Sequence, residues 1–433
     1  MRRRDLLVGG MAASLAAPAV ANAFALQSAA SEAFIYTLPM VEVARVRGRL
    51  LGAGLPAGRF FGQGGLATPE ARTVTTPNND TIYATAFIDL SNGPATLTIP
   101  PLGGRYASFA IMDMVSDDIA VLGTRTTGQD GGVFTLVGPT AAAPAGAIRS
   151  PTPWVWALAR VLVSGPDDLP AAKAVLSGFK VAAAPAGKPA PGADRNGGWQ
   201  DYFKAANALL LENPPPPTDT RKLRRMALLG LGSPSFDPMK FSPEEAAAIA
   251  TGVDSARHLL RSPGFGGKRV GDWIFQASDT GAFFQDYIGR ARIAVGGLAA
   301  LPPAEAMYLT AVPPADGAFD GDHLWRLRFA KGMTPPVDAF WSLTMYEAAP
   351  EGGFYLTRNP INRYAIGDRT PGLTTDADGS LDIWISRTDP GGARSANWLP
   401  APAKGPFTLV LRAYLPQPVL LSETYTPPAI EQL

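Results

Sequence analysis

The sequence predicts a β-dominated α+β protein: two antiparallel β-sandwich or jelly-roll-like domains, an N-terminal helix and a helical middle region. Three observations lead there. Short runs of alternating or continuous apolar residues cluster in two blocks, Thr81 to Val163 and Leu324 to Leu415. The 46 glycines and 42 prolines fall between those runs, as the turns of a β protein require, and are too few for a disordered chain. Between the blocks the pattern changes to helical spacing with a capped helix start.

The first residues read as an export signal. Arg3-Arg4-Asp5-Leu6-Leu7 fits a twin-arginine pattern, a weakly apolar segment runs to Val20, and Ala21-Asn22-Ala23 offers a small-x-small cleavage point. The segment is too short and too mild for a stable membrane anchor. Cleavage after Ala23 then leaves a periplasmic protein exported by the twin-arginine pathway. The formal charge of +1 becomes −1, because the leader carries three arginines and one aspartate. That balance gives no electrostatic reason to seek nucleic acid or an anionic membrane.

A helix is expected from Ser28 to Leu51, with Phe34, Leu38 and Val41 at helical spacing and a kink at Pro39. Strands follow at Thr81 to Leu90, Thr96 to Ile99, Arg105 to Asp113, Ile119 to Leu122, Val133 to Val137 and Trp154 to Val163. Asn92-Gly93 and Gly103-Gly104 read as hairpin turns between the first three. In the middle, Ala182 to Gly198 and Asn213-Pro214-Pro215-Pro216-Pro217 are connectors. Helices are expected at Trp199 to Glu212, Ser242 to Arg261 and Thr280 to Leu298. Ser242-Pro243-Glu244-Glu245 combines an N-cap, a proline at the first helical position and acids in the first turn. Strands return at Leu324 to Ala330, Ala339 to Tyr346, Leu381 to Arg387 and Phe407 to Leu415. The organisation is thus a signal at 1–23, helix plus sandwich at 24–165, a helical connection at 166–312 and a second sandwich at 313–433.

The stretch Thr96 to Ile99 followed by Ser108 to Asp113 resembles Arg326 to Phe329 followed by Trp341 to Tyr346. A duplication would mean two related sandwiches facing each other across a cleft; the alternative is two independent hairpins.

The composition excludes several chemistries. Cysteine is absent, which removes thiolate nucleophiles, iron–sulfur clusters and thioether-linked haem. Only His258 and His323 supply imidazole, so a His- or Cys-rich zinc site is not expected, and no other metal or cofactor is called for. No Gly-x-Ser-x-Gly, His-Glu-x-x-His or phosphate-loop pattern occurs; Gly264-Phe265-Gly266-Gly267-Lys268 lacks the spacing. Two acidic turns, Asp316 to Asp322 and Asp376 to Asp382, suggest calcium, but the second lacks a full loop and a distal Glu. Asp378-Gly379 before a strand reads instead as a type I′ hairpin turn. Trp154 and Trp156 share one strand face, either as a platform for sugar rings or, the favoured reading, as core.

Two motifs stand apart: Thr76-Pro77-Asn78-Asn79-Asp80-Thr81-Ile82-Tyr83, and the segment Asn359-Pro360-Ile361-Asn362-Arg363-Tyr364 that continues through Ala365-Ile366-Gly367-Asp368-Arg369-Thr370-Pro371-Gly372. Together they resemble the tandem of the domain of unknown function 1254 and the domain of unknown function 1214. The resemblance implies an exported bacterial protein with β-rich domains and brings no known reaction with it.

The amides and guanidinium of these motifs suit a polyhydroxyl or carboxylate ligand. The expected site lies between the two β domains. Asn78, Asn79, Asn359, Asn362 and Arg363 hold a polar, carbohydrate-like small molecule or oligosaccharide, with Tyr83 and Tyr364 stacking or hydrogen-bonding. If there is chemistry, it is metal-independent hydrolysis or elimination with Asp80 and Asp368 as acid and base. The alternative is a non-catalytic envelope scaffold or ligand-binding module, whose Asn and Asp side chains brace loops and whose copies self-associate.

Overall fold

The structure is a computed structural model that describes residues 3–62, 64–72, 75–260, 266–314, 317–349 and 353–433, with side chains from Asn22 onward. The side chains of Arg3, Arg4 and Ala21, and residues Gly264, Phe265 and Asp316, lie outside the described residues. The chain divides into two compact units. One comprises 1–55, 187–262 and 285–291; the other comprises 56–186, 263–284 and 292–433.

The helices are α1 (Arg3–Gly52), α2 (Leu169–Gly178), α3 (Trp199–Glu212), α4 (Thr220–Met226), α5 (Pro243–Leu259), α6 (Tyr287–Gly296) and α7 (Pro418–Leu421). In the first unit α3, α4 and α5 pack on α1. This explains why α1 is buried around its circumference: Ala29, Ala30, Phe34, Leu38, Val41 and Val43 are all inside, as are the polar Thr37, Glu42 and Arg47. Pro39 lies within α1 without ending it. Gly252 lets α5 approach, since a Cβ there would lie 2.1 Å from the Gln27 carbonyl oxygen. The expected cap at Ser242 is a full capping box, reciprocated by Glu245. The helix expected over 280–298 begins only at Tyr287, because Gly281 and Phe284 hold left-handed backbone (φ 79° and 49°).

The second unit is built from sheets. Its strands in order are β1 (Phe61–Gly62), β2 (Thr81–Asp89), β3 (Ala95–Ile99), β4 (Ala107–Asp113), β5 (Asp118–Gly123), β6 (Gly132–Val137), β7 (Ile148–Arg149), β8 (Trp154–Leu162) and β9 (Lys180–Ala182). They continue as β10 (Gly266–Val270), β11 (Trp273–Gln276), β12 (Ala306–Ala311), β13 (Phe319–Asp320), β14 (Trp325–Phe329), β15 (Val337–Ala348) and β16 (Phe354–Tyr355). The last are β17 (Ala365–Gly367), β18 (Leu381–Ser386), β19 (Trp398–Pro400), β20 (Pro406–Pro416) and β21 (Ile430–Gln432).

The expected hairpins at Asn92-Gly93 and Gly103-Gly104 do not form. β2 and β4 both pair with β8, and β3 belongs to another sheet. Each turn therefore carries the chain across the sandwich, because successive strands bury their apolar faces from opposite sides of one core.

Four sheets stack as layers. The first sandwich joins β7-β6-β3-β9 to β1-β2-β8-β4-β5 over a core including Leu97, Phe109, Leu136 and Val155. The second joins β19-β18-β14-β21 to the sheet containing β11-β12-β20-β15 over Trp325, Leu343, Ile383 and Leu411. The two inner sheets meet through Tyr106, Leu162, Tyr308, Phe340, Tyr346 and Tyr414. Both faces of β8 are therefore buried, which accounts for a run that is apolar apart from Arg160.

The two sandwiches share one topology. β2-β8-β4-β5 corresponds to β12-β20-β15-β17, and β7-β6-β3-β9 to β19-β18-β14-β21, with the β6–β7 and β18–β19 pairs both parallel. Even α2, between β8 and β9, matches α7, between β20 and β21. In this correspondence Ser108 matches Ser342, one residue along from the end-to-end match of the two sequence stretches.

Candidate functional site

Register explains the residues that occupy the layer between the inner sheets. Across the first sheet, Tyr83, Arg160, Ser108 and Gly123 stand side by side on successive strands. Across the second, Tyr308, Arg412, Ser342 and Gly367 do the same. Each row is Tyr–Arg–Ser–Gly. The glycine is required at both ends: a Cβ would lie 2.3 Å from the Ala107 oxygen at Gly123 and 2.2 Å from the Trp341 oxygen at Gly367.

Two residues beyond each glycine is an arginine that crosses to the opposite sandwich. Arg369 donates from Nη2 to Asp80 Oδ1 at 2.9 Å, and Arg125 donates from Nε to Glu305 Oε2 at 2.6 Å. Asp80 and Glu305 stand three residues before Tyr83 and Tyr308. Each acid takes a second bond across the layer: Asp80 Oδ2 from the Ser342 hydroxyl at 2.6 Å, and Glu305 Oε1 from the Tyr106 hydroxyl at 2.9 Å. The crossed pairs clasp the sandwiches at equivalent places. Burial raises the Glu305 carboxyl above its usual range, although Arg125 and Tyr106 pull it down.

Asp80 and Asp368 are brought to the same guanidinium. Arg369 Nε reaches Asp368 Oδ1 at 3.3 Å, its Nη1 donates to the Val163 carbonyl at 3.1 Å, and the group lies 4.1 Å from the Phe340 ring centre. Asp80 is only 5% exposed, whereas a third of the Asp368 side chain meets solvent. Burial pushes the Asp368 carboxyl up, with Arg369 opposing and the Asp80 charge reinforcing the rise. An arginine stands between the two carboxylates, so their first effect is an ionic clamp.

The other first-motif residues brace the same corner. Asn78 accepts from the Asp80 N–H at 2.6 Å and donates to the Tyr414 hydroxyl at 2.6 Å. Asn79 donates to the Ala67 carbonyl at 2.6 Å. Tyr83 lies beneath Arg160, 5.7 Å from ring centre to guanidinium. The second motif behaves differently. Asn359 bonds both the N–H and carbonyl of Arg363, and Arg363 donates to the carbonyls of Ala396 and Trp398 at 3.0 and 2.8 Å. Asn362, at φ 50°, accepts from the Tyr364 hydroxyl at 3.1 Å. Among the described residues, none of these four bonds to Asn78, Asn79 or Asp80.

Sequence reasoning missed Arg369, Arg160, Arg412, Ser342 and Asp118. A signal was present: Gly123-Thr124-Arg125-Thr126-Thr127-Gly128 repeats as Gly367-Asp368-Arg369-Thr370-Pro371-Gly372. Arg160 and Arg412 also interrupt otherwise apolar strands. Arg412 is fully committed, donating to Thr344 Oγ1 at 2.9 Å and to the Thr76 carbonyl at 3.0 Å. Burial opposes its charge, yet Tyr346, Tyr414 and Asp80 hold it protonated more firmly than usual.

Its counterpart Arg160 is not fully committed. Nη2 donates to the Ala299 carbonyl at 2.5 Å, but among the described residues buried Nη1 has no partner. Nor does either oxygen of the Asp118 carboxylate, which is shut from solvent with Gly281 packed against it. Burial drives the Asp118 carboxyl well above its usual range, Arg160 pulling the other way. The hydroxyl of Thr310 is buried and unmatched in the same sense, whereas that of Ser108 lies beside the Tyr106 phenol.

The remaining sequence candidates are structural. Arg328 bonds Asp376, Asp378 and Asp382 at 2.8–2.9 Å, so an arginine fills the second acidic turn. That turn has only Gly379 in left-handed backbone, not the pair of residues a type I′ turn needs. His323 Nδ1 pairs with Asp320 at 2.8 Å on the surface, and His258 is exposed at the end of α5. Trp154 and Trp156 are buried, the latter stacked on Phe87 and donating to Thr85. Among the described residues, no three His, Asp or Glu side chains gather as a metal site would require, and no helix is long and apolar enough to cross a membrane.

Residues 59–183 match the family model described as a protein of unknown function (DUF1254), and residues 305–418 that of a protein of unknown function (DUF1214). The chain is similar in fold to a crystal structure of a protein from Vibrio parahaemolyticus. That likeness has 23% identity and a TM-score of 0.69, and covers 94% of this chain and 100% of the other. A structure of an uncharacterised protein from Burkholderia cenocepacia is 14% identical, with a TM-score of 0.46 and 100% and 99% covered. No curated protein matches the chain.

Proposed function

This chain belongs to the tandem DUF1254–DUF1214 family, and from that premise we propose that it is an exported binding protein for a small polar, sugar-like ligand held between its two sandwiches. The observation that carries the reading is the unmatched pair of buried groups, Arg160 Nη1 and the Asp118 carboxyl. A buried polar group without a partner costs about 1–3 kcal/mol. A ligand that offers an oxygen to the guanidinium and a hydroxyl to Asp118 would relieve both. The hydroxyl of Thr310 adds a further place for a polyhydroxyl molecule.

In this reading the motif residues hold the frame and perform no reaction. Both oxygens of Asp80 are engaged by Arg369 and Ser342, which supports a clamp over a proton carrier. Export rests on Arg3-Arg4-Asp5-Leu6-Leu7 and on Ala21-Asn22-Ala23. A route that carries folded proteins suits a chain whose two sandwiches are clasped to each other.

The test is a thermal-shift screen of neutral sugars and oligosaccharides on the wild type and on Arg160→Met. Binding raises the melting temperature through mass action, without knowledge of any reaction. A saturable rise with one ligand class that disappears in Arg160→Met supports the proposal. A screen without a single shift, or a shift that survives in Arg160→Met, overturns it.

A further inference from the structure

The helical unit holds a cavity of about 690 Å³ that the sandwiches do not line. Deep in it, the carboxylate of Asp219 accepts two phenol protons, from Tyr36 at 2.7 Å and from Tyr287 at 2.8 Å. Asp219 is 6% exposed. Both hydroxyls therefore donate to Asp219, and each phenol oxygen keeps lone pairs that can accept. Burial, then Asp219 itself, pushes the Tyr287 phenol up to about 12, so it stays a neutral hydroxyl at any ordinary pH.

The lining carries three acids, Glu32, Asp219 and Asp286, and three bases, Arg221, Lys222 and Arg225, which are unequally paired. Glu32 is bonded by Lys222 at 3.1 Å and by Arg225 at 3.2 Å, and Arg225 also donates to Ser28. Arg221 lines the same cavity, is exposed, and has no ion-pair partner among the described residues. The cavity lining therefore brings together an uncommitted guanidinium and two phenol groups that donate to Asp219, with Ile35 and Ile288 as apolar wall.

We infer that this cavity is a second ligand site, separate from the inter-sandwich layer, and that it takes a small hydroxy-carboxylate. The carboxylate end meets the planar fork of Arg221, which suits two parallel N–H···O bonds. The hydroxyl end donates to the oxygens of Tyr36 and Tyr287, whose own protons are held by Asp219. A simple carboxylate lacks the second contact and a neutral sugar lacks the first.

Three probes separate these contributions at constant ionic strength: sodium D-gluconate, sodium acetate and D-glucose. Calorimetry and melting temperature are read on the wild type, Arg221→Ala, Tyr287→Phe and Arg160→Met. The expected result is saturable gluconate binding, weakened at least tenfold by Arg221→Ala and by Tyr287→Phe, with acetate and glucose at least tenfold weaker. Gluconate binding that survives in Arg160→Met locates the site in the helical unit, so the inter-sandwich proposal stands or falls separately. No gluconate binding, equal binding of acetate or glucose, or undiminished affinity in Arg221→Ala or Tyr287→Phe overturns the inference. Loss in Arg160→Met overturns it as well. Arg221 is exposed and Tyr287→Phe removes one oxygen, so both variants are expected to fold.

Discussion

Asp80 and Arg369, 289 residues apart, meet at 2.9 Å, and Glu305 and Arg125, 180 residues apart, repeat the contact at the equivalent place with the sandwiches exchanged. In each pair the acid precedes a strand of one sandwich and the arginine follows a glycine in the other. The motif that contains Asp80 is thereby explained as half of a reciprocal clasp. Asn78 supports it by accepting the Asp80 N–H.

Asp80→Asn should be costly for stability. It replaces the charge-assisted bond from Arg369 by one to a neutral amide while Asp368 still pairs with the guanidinium, a loss of about 2 kcal/mol. Urea denaturation measures this. A double-mutant cycle with Arg369→Gln should give a coupling of roughly 1–3 kcal/mol. Coupling near zero would show that the contact does not join the sandwiches.

Gly123→Ala and Gly367→Ala should behave alike. In each, the new methyl would lie within 2.3 Å of a carbonyl oxygen of the neighbouring strand. Each should destabilise by about 2 kcal/mol or more. A loss at one site and tolerance at the other would break the equivalence of the two rows.

Asp118 predicts a pH dependence. Its folded carboxyl is raised above the unfolded value of 3.8, so the native state holds a proton that the unfolded chain releases. That contribution is fully present below the unfolded value and is lost as pH rises toward the folded one. Asp118→Asn removes the titration. Melting curves from pH 4 upward should show the variant gaining on the wild type as pH rises; parallel curves would contradict the burial of an ionisable Asp118.

Arg363→Lys should lower stability by about 1–2 kcal/mol. Lysine keeps the charge, but its nitrogen sits one bond nearer the backbone than the Arg363 Nη1 that donates to both the Ala396 and Trp398 carbonyls. Ligand affinity, once a ligand is in hand, should be unaffected. Lost affinity at full stability would move Arg363 from the frame into a site.

Replacing Arg3 and Arg4 by Lys should leave precursor in the cytoplasm, as cell fractionation with an antibody to the chain would reveal. Undiminished periplasmic protein would point to the general secretory route.

Local signals were legible wherever a few neighbouring residues decide the outcome. The strand at Thr81, the helix Trp199–Glu212 and the cap at Ser242 follow from alternation, helical spacing and side-chain capping, all of which act within a few residues. The loop-bracing role of Asn359 was equally available, because it bonds backbone only four residues away. What the sequence determined by itself was therefore the β-dominated class, the two strand blocks and the two motifs. Only the tertiary structure decided that β2 and β4 pair through β8 instead of with β3, and that Asp80 belongs to Arg369. Strand partners and buried ion pairs are chosen by contacts between residues far apart in the chain, and no local pattern reports which distant group will arrive. Burial on both faces of the inner sheets then sets what an arginine in an apolar strand means. Arg412 is a satisfied part of the frame, and Arg160, at the same place in the other sandwich, keeps a hydrogen-bond donor unmatched among the described residues.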